Sequence, residues 1–579
     1  MADNIRLENV TFAFHPDARD PVLTDINLNI EQGESVALIG TNGSGKTTIV
    51  RLLNALLLPT RGKVIAAGLD TADPRNHPLI RQRVGLVFQR PQDQIVASTV
   101  EEEIAFGPSN LGLPPREIRA RVEQVLTLTR LQALRDRHPF LLSAGEAQRL
   151  ALAGVLAMRP RCVIFDESTA MLDPLNSKTV MQQAEKLHQQ GITTIMITHR
   201  MQEAAQCSRV LVLHHGRLLG DGAPSAVFSR ASELESIGLA QPIVHAAARE
   251  LRKFFPSLPA NINRTDQLLS ALPTHPGNTL VPQSSSPQVA CENLTKPLIH
   301  VDRLTHTYPA QSAAYPPALD QISLRVMKGH MHALIGASGS GKSTLLQHLN
   351  ALIRPQSGQV TVGPFNLNRQ DLDTIALRRM VALAFQQPED QIFAYYVGDE
   401  IAYGPRNLGF DGKLADIVAR AMQEVGLDFD RYKDRLTSEL SGGERRKVAL
   451  ASVLAMRADI ILLDEPLAGL DPKSRRQLLG LLRDLQQKGK TLLISTHQYE
   501  GLLDMLNTVS VLQHGRDVLH GPPQHVFSQF SALHSAGILP PFHVRLAQAL
   551  RDRGWPIPSA VMGLPALAAA IERGSGAAI

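Results

Sequence analysis

The sequence predicts an α/β fold laid down twice in one chain of 579 residues, and three observations predict it. One glycine-rich loop occurs twice. Short apolar runs alternate with stretches of helical period in each copy, and the same motifs follow in the same order at a nearly constant offset. The first loop reads Gly40-Thr41-Asn42-Gly43-Ser44-Gly45-Lys46-Thr47-Thr48, and the second reads Gly336-Ala337-Ser338-Gly339-Ser340-Gly341-Lys342-Ser343-Thr344. Both satisfy G-x-x-x-x-G-K-[ST], both leave an apolar run (36–39; 333–335), and both open a helical pattern. In that setting the glycines let successive backbone N–H groups curl round an anion at a helix N-terminus. Lys46 and Lys342 then meet the outer phosphates, while Thr47 and Ser343 offer hydroxyls to Mg²⁺. Two P-loops at equivalent places in a repeat imply two bound nucleoside triphosphates.

The remaining elements repeat in chain order. An aromatic residue precedes each loop (Phe14; Tyr308), and a glutamine follows it (Gln89; Gln386). Next come a serine with a nearby glycine (Ser143 and Gly145; Ser441 and Gly443), an acidic pair (Asp166 and Glu167; Asp464 and Glu465) and a histidine (His199; His497). The apolar runs 162–165, 194–197, 460–463 and 492–494 read as parallel strands buried on both faces, and 177–189 and 473–487 read as helices. Such a sheet presents its ligand loops at the carboxyl ends of its strands, where Asp166, Glu167 and His199 fall.

The repeat continues past the histidines. Val227-Phe228-Ser229 recurs as Val526-Phe527-Ser528, and Gly238 with Pro242 recurs as Gly537 with Pro541. Nucleotide-binding domains are therefore expected at 1–232 and 298–531, with small C-terminal extensions at 233–270 and 532–579. Between them, 271–297 is rich in Pro and Ser and poor in charge, which suits a semi-flexible tether that keeps one half close to the other.

Bulk composition removes several alternatives. At 44% apolar and 20% charged residues the chain is ordinary globular material. No apolar run approaches the ~20 residues of a membrane span, and the N-terminus lacks the apolar core of a signal peptide. Cys162, Cys207 and Cys291 are scattered, which argues against a disulfide framework and fits a reducing cytosol. A net charge of +5 is small for this length and gives no reason to expect a nucleic-acid partner.

Within each acidic pair, Asp166 and Asp464 suit the metal side, whereas Glu167 and Glu465 suit a general base acting on the attacking water. His199 and His497 can donate to a γ-phosphate. The segments Leu142-Ser143-Ala144-Gly145-Glu146 and Leu440-Ser441-Gly442-Gly443-Glu444 resemble the LSGGQ signature of ATP-binding-cassette ATPases. The whole set resembles that superfamily in order, down to the Asp-Pro turns at Asp173 and Asp471.

The resemblance implies ATP and Mg²⁺ as cofactors, a helical subdomain around each signature, and two cassettes of one chain paired head to tail. Site one would join Phe14 (adenine stacking), Lys46, Thr47, Gln89, Asp166, Glu167 and His199 with Ser441 and Gly443. Site two would join Tyr308, Lys342, Ser343, Gln386, Asp464, Glu465 and His497 with Ser143 and Gly145. Thr47, Gln89 and Asp166 would face one metal ion, and Ser343, Gln386 and Asp464 the other. Three departures stand out. Ala144 replaces a glycine, at a cost of roughly 1 kcal/mol if that position needs φ > 0 or a close phosphate. Ser168 stands where the second half has Pro466, and Met171 where it has Gly469. Both acids and both histidines are present, so two hydrolytic sites with mild asymmetry are expected.

The segments after the glutamines narrow the resemblance. Phe88-Gln89 with Pro91 and Gln94 leads to Glu103-Ile104-Ala105-Phe106-Gly107-Pro108, and Phe385-Gln386 with Pro388 and Gln391 leads to Glu400-Ile401-Ala402-Tyr403-Gly404-Pro405. Both resemble the pattern of energy-coupling-factor transporter ATPases, which import vitamins and transition-metal ions. That resemblance implies a transmembrane coupling subunit and a substrate-binding membrane subunit on other chains, with this chain peripheral on the cytoplasmic face of a prokaryotic inner membrane. It offers Glu101, Glu102, Glu103, Asp399 and Glu400 as partners for arginines of the coupling subunit. The C-terminal extensions resemble that family's and would help the halves dimerise. Two rivals share the tandem layout. A ribosome-associated tandem cassette would have a long charged helical linker, and a sugar-importer ATPase would typically have one degraded catalytic set.

Overall fold

The computed structural model describes residues 4–15, 20–170, 172–259, 262–274, 296–308, 317–410, 412–558, 561 and 563–575. Most of the tether, together with Met171 and Cys291, lies outside the described residues. The chain divides into two compact units, Met1–Ala271 and Leu272–Ile579.

In the first unit the strands are β1 (Ile5–Phe12), β2 (Leu23–Ile30), β3 (Ser35–Gly40), β4 (Arg61–Ala66), β5 (Leu69–Asp70), β6 (Val84–Val87), β7 (Cys162–Asp166), β8 (Thr193–Ile197), β9 (Arg209–His214) and β10 (Arg217–Gly222). They form an antiparallel sheet ordered β2-β1-β4-β5 and a second sheet ordered β10-β9-β3-β8-β7-β6. The second sheet is parallel except for the edge pair of β9 and β10. Composition explains the difference. β1 alternates buried and exposed positions, as a strand with one wet face should, whereas β3 and β8 are mostly apolar after their first residues and buried almost throughout.

Period-two alternation then divides the interior into two cores. Val36 and Leu38 of β3 join Ile164 of β7 in a core with β1, β2 and the helix Lys46–Leu53. Ala37 and Ile39 join Val163 and Phe165 in a core with the helices Val100–Asn110, Pro115–Thr129 and Ala144–Ala157. The central sheet is thus covered on both faces, and its carboxyl edge carries the loops.

The second unit repeats the plan. Its strands are β11 (Ile299–His306), β12 (Leu319–Val326), β13 (Met331–Gly336), β14 (Ser357–Val362), β15 (Phe365–Asn366), β16 (Val381–Ala384), β17 (Ile460–Asp464), β18 (Thr491–Ser495), β19 (Thr508–Gln513) and β20 (Arg516–Gly521). The sheets run β12-β11-β14-β15 and β16-β17-β18-β13-β19-β20. Val397–Asn407, Leu414–Glu424 and Gly442–Ala455 make its helical subdomain. Short helices follow each cassette: Ile243–Leu251 and Thr265–Ala271 in the first unit, Phe542–Arg551 and Leu564–Ser575 in the second. Among the described residues, no helix is long and apolar enough to cross a membrane.

Candidate active site

Each phosphate loop leaves the central strand of its sheet and runs straight into a helix. β3 ends at Gly40 and its helix begins at Lys46, and β13 and Lys342 repeat the geometry. Gly45 and Gly341 cap these helices with φ of 102° and 101°, in the left-handed region that glycine adopts freely. A methyl at Gly45 would also lie 2.6 Å from Leu23 Cδ2, so the loop is tight beneath. Above, it is open: a Cβ at Gly43 or Gly339 would meet nothing within 4 Å.

Lys46 Nζ donates to the carbonyls of Gly40 at 3.0 Å and Thr41 at 2.9 Å, and Lys342 Nζ to those of Gly336 at 2.8 Å and Ala337 at 2.9 Å. Their own loops therefore hold both lysines in place. The hydroxyls of Ser44 and Ser340 are buried without a hydrogen-bond partner, in both halves at the same place. An unpaired buried hydroxyl costs about 1–3 kcal/mol, and its recurrence fits a phosphate that supplies the missing partner. The residues present thus fit a nucleoside triphosphate.

The acidic pairs stand two strands away, beyond β8 and β18. Asp166 and Asp464 end β7 and β17, and the next residues, Glu167 and Glu465, both have φ of 47°. A non-glycine residue there costs on the order of 1 kcal/mol, and the turn breaks the strand alternation that would otherwise send the glutamate to the opposite face. Glu167 Oε1 lies 2.6 Å from His199 Nε2, and its other oxygen accepts from Gln89 Nε2 at 3.1 Å. Glu465 Oε2 lies 2.9 Å from His497 Nδ1 and accepts from the His497 N–H at 3.3 Å. Gln386 makes no bond to Glu465 corresponding to that of Gln89.

Electrostatics separates the two carboxylates of each pair. Burial, with Glu167 beside it, pushes Asp166 up to about 6, against Lys46 and the Thr47 hydroxyl. Burial likewise raises Asp464, against hydrogen bonds from Ser343 and Ser495. Burial also presses on Glu167 and Glu465, but the adjacent histidines together with Lys46 and Lys342 outweigh it, and both end below the usual glutamate range. The aspartates are thus the groups a divalent cation would relieve, and the glutamates stay ionised. Among the described residues, no group of three or more His, Cys, Asp or Glu could hold a metal alone. Mg²⁺ shared among one carboxylate, a hydroxyl and phosphates does not require such a group.

The remaining predicted residues are placed as follows. Phe14 is 59% exposed, with its ring edge-on to Phe12 at 5.0 Å. Tyr308 is half-buried, and its hydroxyl sits 3.2 Å from Thr344 Oγ1. Ser143 and Ser441 cap the signature helices, and Glu146 and Glu444 return the bond in each capping box. Gly145 packs on Asn176, where a Cβ would come within 2.5 Å.

Of the two conditions set for Ala144, a positive φ is not met. Its counterpart Gly442 has no positive φ, and a Cβ there would meet nothing within 4 Å of its own half. Ser168 is buried with its hydroxyl unpaired.

The acids after the glutamines need correction. Glu103 and Glu400 are buried and face inward. Glu103 accepts the N–H groups of Val96 and Ala97, both at 2.9 Å, and Glu400 those of Phe393 at 3.1 Å and Ala394 at 2.9 Å. Glu102 closes a capping box with Thr99. Glu101 and Asp399 remain outward, 3.8 Å from Arg135 and 3.6 Å from Arg406. A glutamate in the first turn of a helix can fold back on the preceding segment, so a run of acids does not define one exposed face.

Sequence reasoning also missed Glu203, which is buried four residues beyond His199 and accepts from Thr198 Oγ1 at 2.6 Å and Thr169 Oγ1 at 2.8 Å. Its only signal was a carboxylate close to the histidine.

Comparison with known proteins follows this geometry. The sequence profile of a family described as ABC transporter matches residues 23–170 and 319–468. A relative from Methanosarcina acetivorans, provisionally named an ABC transporter ATP-binding protein, is 35% identical over 570 residues, covering 96% of this chain and 91% of its own. The energy-coupling factor transporter ATP-binding protein EcfA1 of Caldanaerobacter subterraneus is 45% identical over 272 residues, which is 46% of this chain and 98% of that protein. The solved structure of cbiO1 from Clostridium perfringens, part of the ABC transporter complex cbiONQ, is 29% identical and covers 42% of this chain and 94% of its own, with a TM-score of 0.36. Since each matched region encloses a phosphate loop, a signature and an acidic pair, the chain belongs to the ABC transporter family and is an ATPase with two cassettes in tandem.

Proposed function

We propose that the chain is the energy-coupling ATPase of a membrane import complex of the energy-coupling-factor kind. It drives uptake of a vitamin or metal ion through a transmembrane coupling subunit and a substrate-binding membrane subunit carried on separate chains. The observation that carries this reading is the 45% identity to EcfA1 across 98% of that protein's length. The doubled segments that follow Gln89 and Gln386 support it. In this reading the chain lies on the cytoplasmic face of a prokaryotic inner membrane. Its cassettes are 1–232 and 298–531, its extensions 233–270 and 532–579, and its tether 271–297.

Mg²⁺–ATP, when bound, supplies the γ-phosphate and the charge that neutralises its departure. Lys46 and Lys342 hold the outer phosphates, and Asn42, Ser44, Thr48, Ser338, Ser340 and Thr344 line the loops that cradle them. Asp166 with Thr47, and Asp464 with Ser343, hold the cation. Glu167 and Glu465, ionised and kept below the ordinary range, orient the attacking water more than they strip its proton. His199 and His497 leave the glutamates to meet the γ-phosphate. Ser441 and Gly443 complete the site on Lys46, while Ser143 and Gly145 complete the site on Lys342.

A tagged chain drawn from detergent-solubilised membranes should bring down an integral membrane coupling subunit. Reversing the outward acids with Glu101→Lys and Asp399→Lys should weaken that capture and leave ATP binding by the soluble chain unchanged. A chain that purifies without any membrane subunit overturns the proposal, as does capture indifferent to both reversals.

A further inference from the structure

Each histidine that faces a catalytic glutamate heads a short segment, and the two segments are fastened by different polar contacts. In the first half, Glu203 accepts from Thr198 Oγ1 at 2.6 Å and from Thr169 Oγ1 at 2.8 Å, and it pairs with Arg200 at 3.5 Å. Thr169 lies just beyond Glu167, so one buried carboxylate ties the loop of His199 back to the segment that carries the general base.

The second half has Gly501 in place of Glu203 and Leu467 in place of Thr169. Its loop is tied outward instead. Tyr499 is buried, its ring stacks on Phe527 at 5.0 Å, and its hydroxyl donates to the carbonyl of Leu539. Glu500 Oε1 accepts the N–H of Phe542 at 3.0 Å, at the first residue of the C-terminal helix Phe542–Arg551. The charge of Glu500 also acts on His543 and Arg545 of that helix, and Asp504 acts on His543. A carboxylate at a helix N-terminus is favoured by the dipole, so this junction is a built contact. In the first half, Met201 and Gln202 stand at the places of Tyr499 and Glu500. Met201 has no hydroxyl, and Gln202 is exposed and makes no side-chain hydrogen bond.

We propose that Tyr499 and Glu500 are positioning residues for His497. They tie hydrolysis at its site to the seating of the C-terminal extension through two hydrogen bonds, whereas in the first half the segment Met201–Ala204 only packs against the extension helix Ile243–Leu251 and Glu203 anchors it to Thr169. The inference rests on the roles proposed above for the two histidines. The chain from His497 to Glu500 spans at most about 10 Å even when extended, so a displaced extension helix pulls on the histidine with little slack.

The test uses the full chain and takes His497→Ala as its reference. Tyr499→Phe and Glu500→Ala should each remove most of the kcat that His497→Ala removes, the about fivefold loss at one site expected from one hydrogen bond, with KM for ATP unchanged. Hydrogen exchange should quicken across 496–501 and stay as it was across 198–203. Glu500→Gln keeps the accepting oxygen and should restore kcat, and Gln202→Ala should change neither measurement. If kcat and KM move together, or both loops loosen, the residues are merely structural and the proposal falls. If His497→Ala leaves kcat untouched, the role of that histidine fails. If His497→Ala removes turnover that Tyr499→Phe and Glu500→Ala leave in place, only the coupling to the extension fails.

Discussion

The two halves share one fold and fill its interior differently. The first half places Phe12, Val36 and Leu52 in its core, whereas the second places His306, His332 and His348 at the matching positions of β11, β13 and the P-loop helix. Imidazole fits there with one polar partner for His332, one for His348 and ring contacts alone for His306. His332 Nδ1 sits 2.7 Å from Thr508 Oγ1, His348 Nδ1 sits 2.7 Å from the Thr344 carbonyl, and His306 packs edge-on against Tyr308 and His348. Burial pushes His332 down to about 3 and His348 down to about 4 and lowers His306 as well, so all three are neutral. The sheet therefore demands volume at these places and does not demand aliphatic side chains, and it accepts both ring nitrogens of His306 and the Nε2 of His332 and His348 without a partner.

The largest expected effect breaks the symmetry between the halves by pH. A base whose folded pKa is depressed costs nothing above its unfolded value near 6.5, and it destabilises as pH falls below that value, because the unfolded chain takes protons the folded one refuses. At pH 5, His332 and His348 should each cost the second half about 2 kcal/mol. The half-buried His214 and His245 shift the same way in the first half, from more open surroundings. Unfolding at pH 7.5 and pH 5, resolved by hydrogen exchange, should show the second half losing protection first. Equal loss in both halves would refute the contrast.

A smaller effect tests a likeness. Glu103→Ala and Glu400→Ala each strand two backbone N–H groups that the carboxylate now satisfies, which should cost about 2 kcal/mol in either half by urea unfolding. A loss confined to one half would mean that the two turns are not equivalent. The smallest effect concerns the signature. Gly442→Ala should leave the second half unchanged or more stable by roughly 0.5 kcal/mol, since nothing crowds a Cβ there and alanine favours the helix.

The parts of the site that were legible in the sequence are those in which chemistry and contiguity coincide. The phosphate loops need particular glycines and one lysine in a row, so Gly45 and Lys46 announce the geometry they adopt. The apolar runs became β7, β8, β17 and β18 because strands buried on both faces carry apolar side chains at most of their central positions.

What stayed hidden depends on direction or distance. Glu101, Glu102 and Glu103 look alike as letters, yet helix geometry sends one outward, one to the cap and one into the interior. The bonds of Tyr499 to Leu539 and of Glu500 to Phe542 join residues some forty positions apart, which no local pattern encodes. His332 did leave a trace, as a lone imidazole inside an apolar run, but its fate depended on Thr508 in a neighbouring strand.

The central claim is that both halves hydrolyse ATP although their surroundings differ, and steady-state turnover of Glu167→Gln, Glu465→Gln and the double variant tests it most directly. The account predicts that each single change removes a substantial share of kcat and that the double variant falls by roughly a hundredfold or more. If either single variant turns over at the wild-type rate, that half binds nucleotide without hydrolysing it and the claim is contradicted.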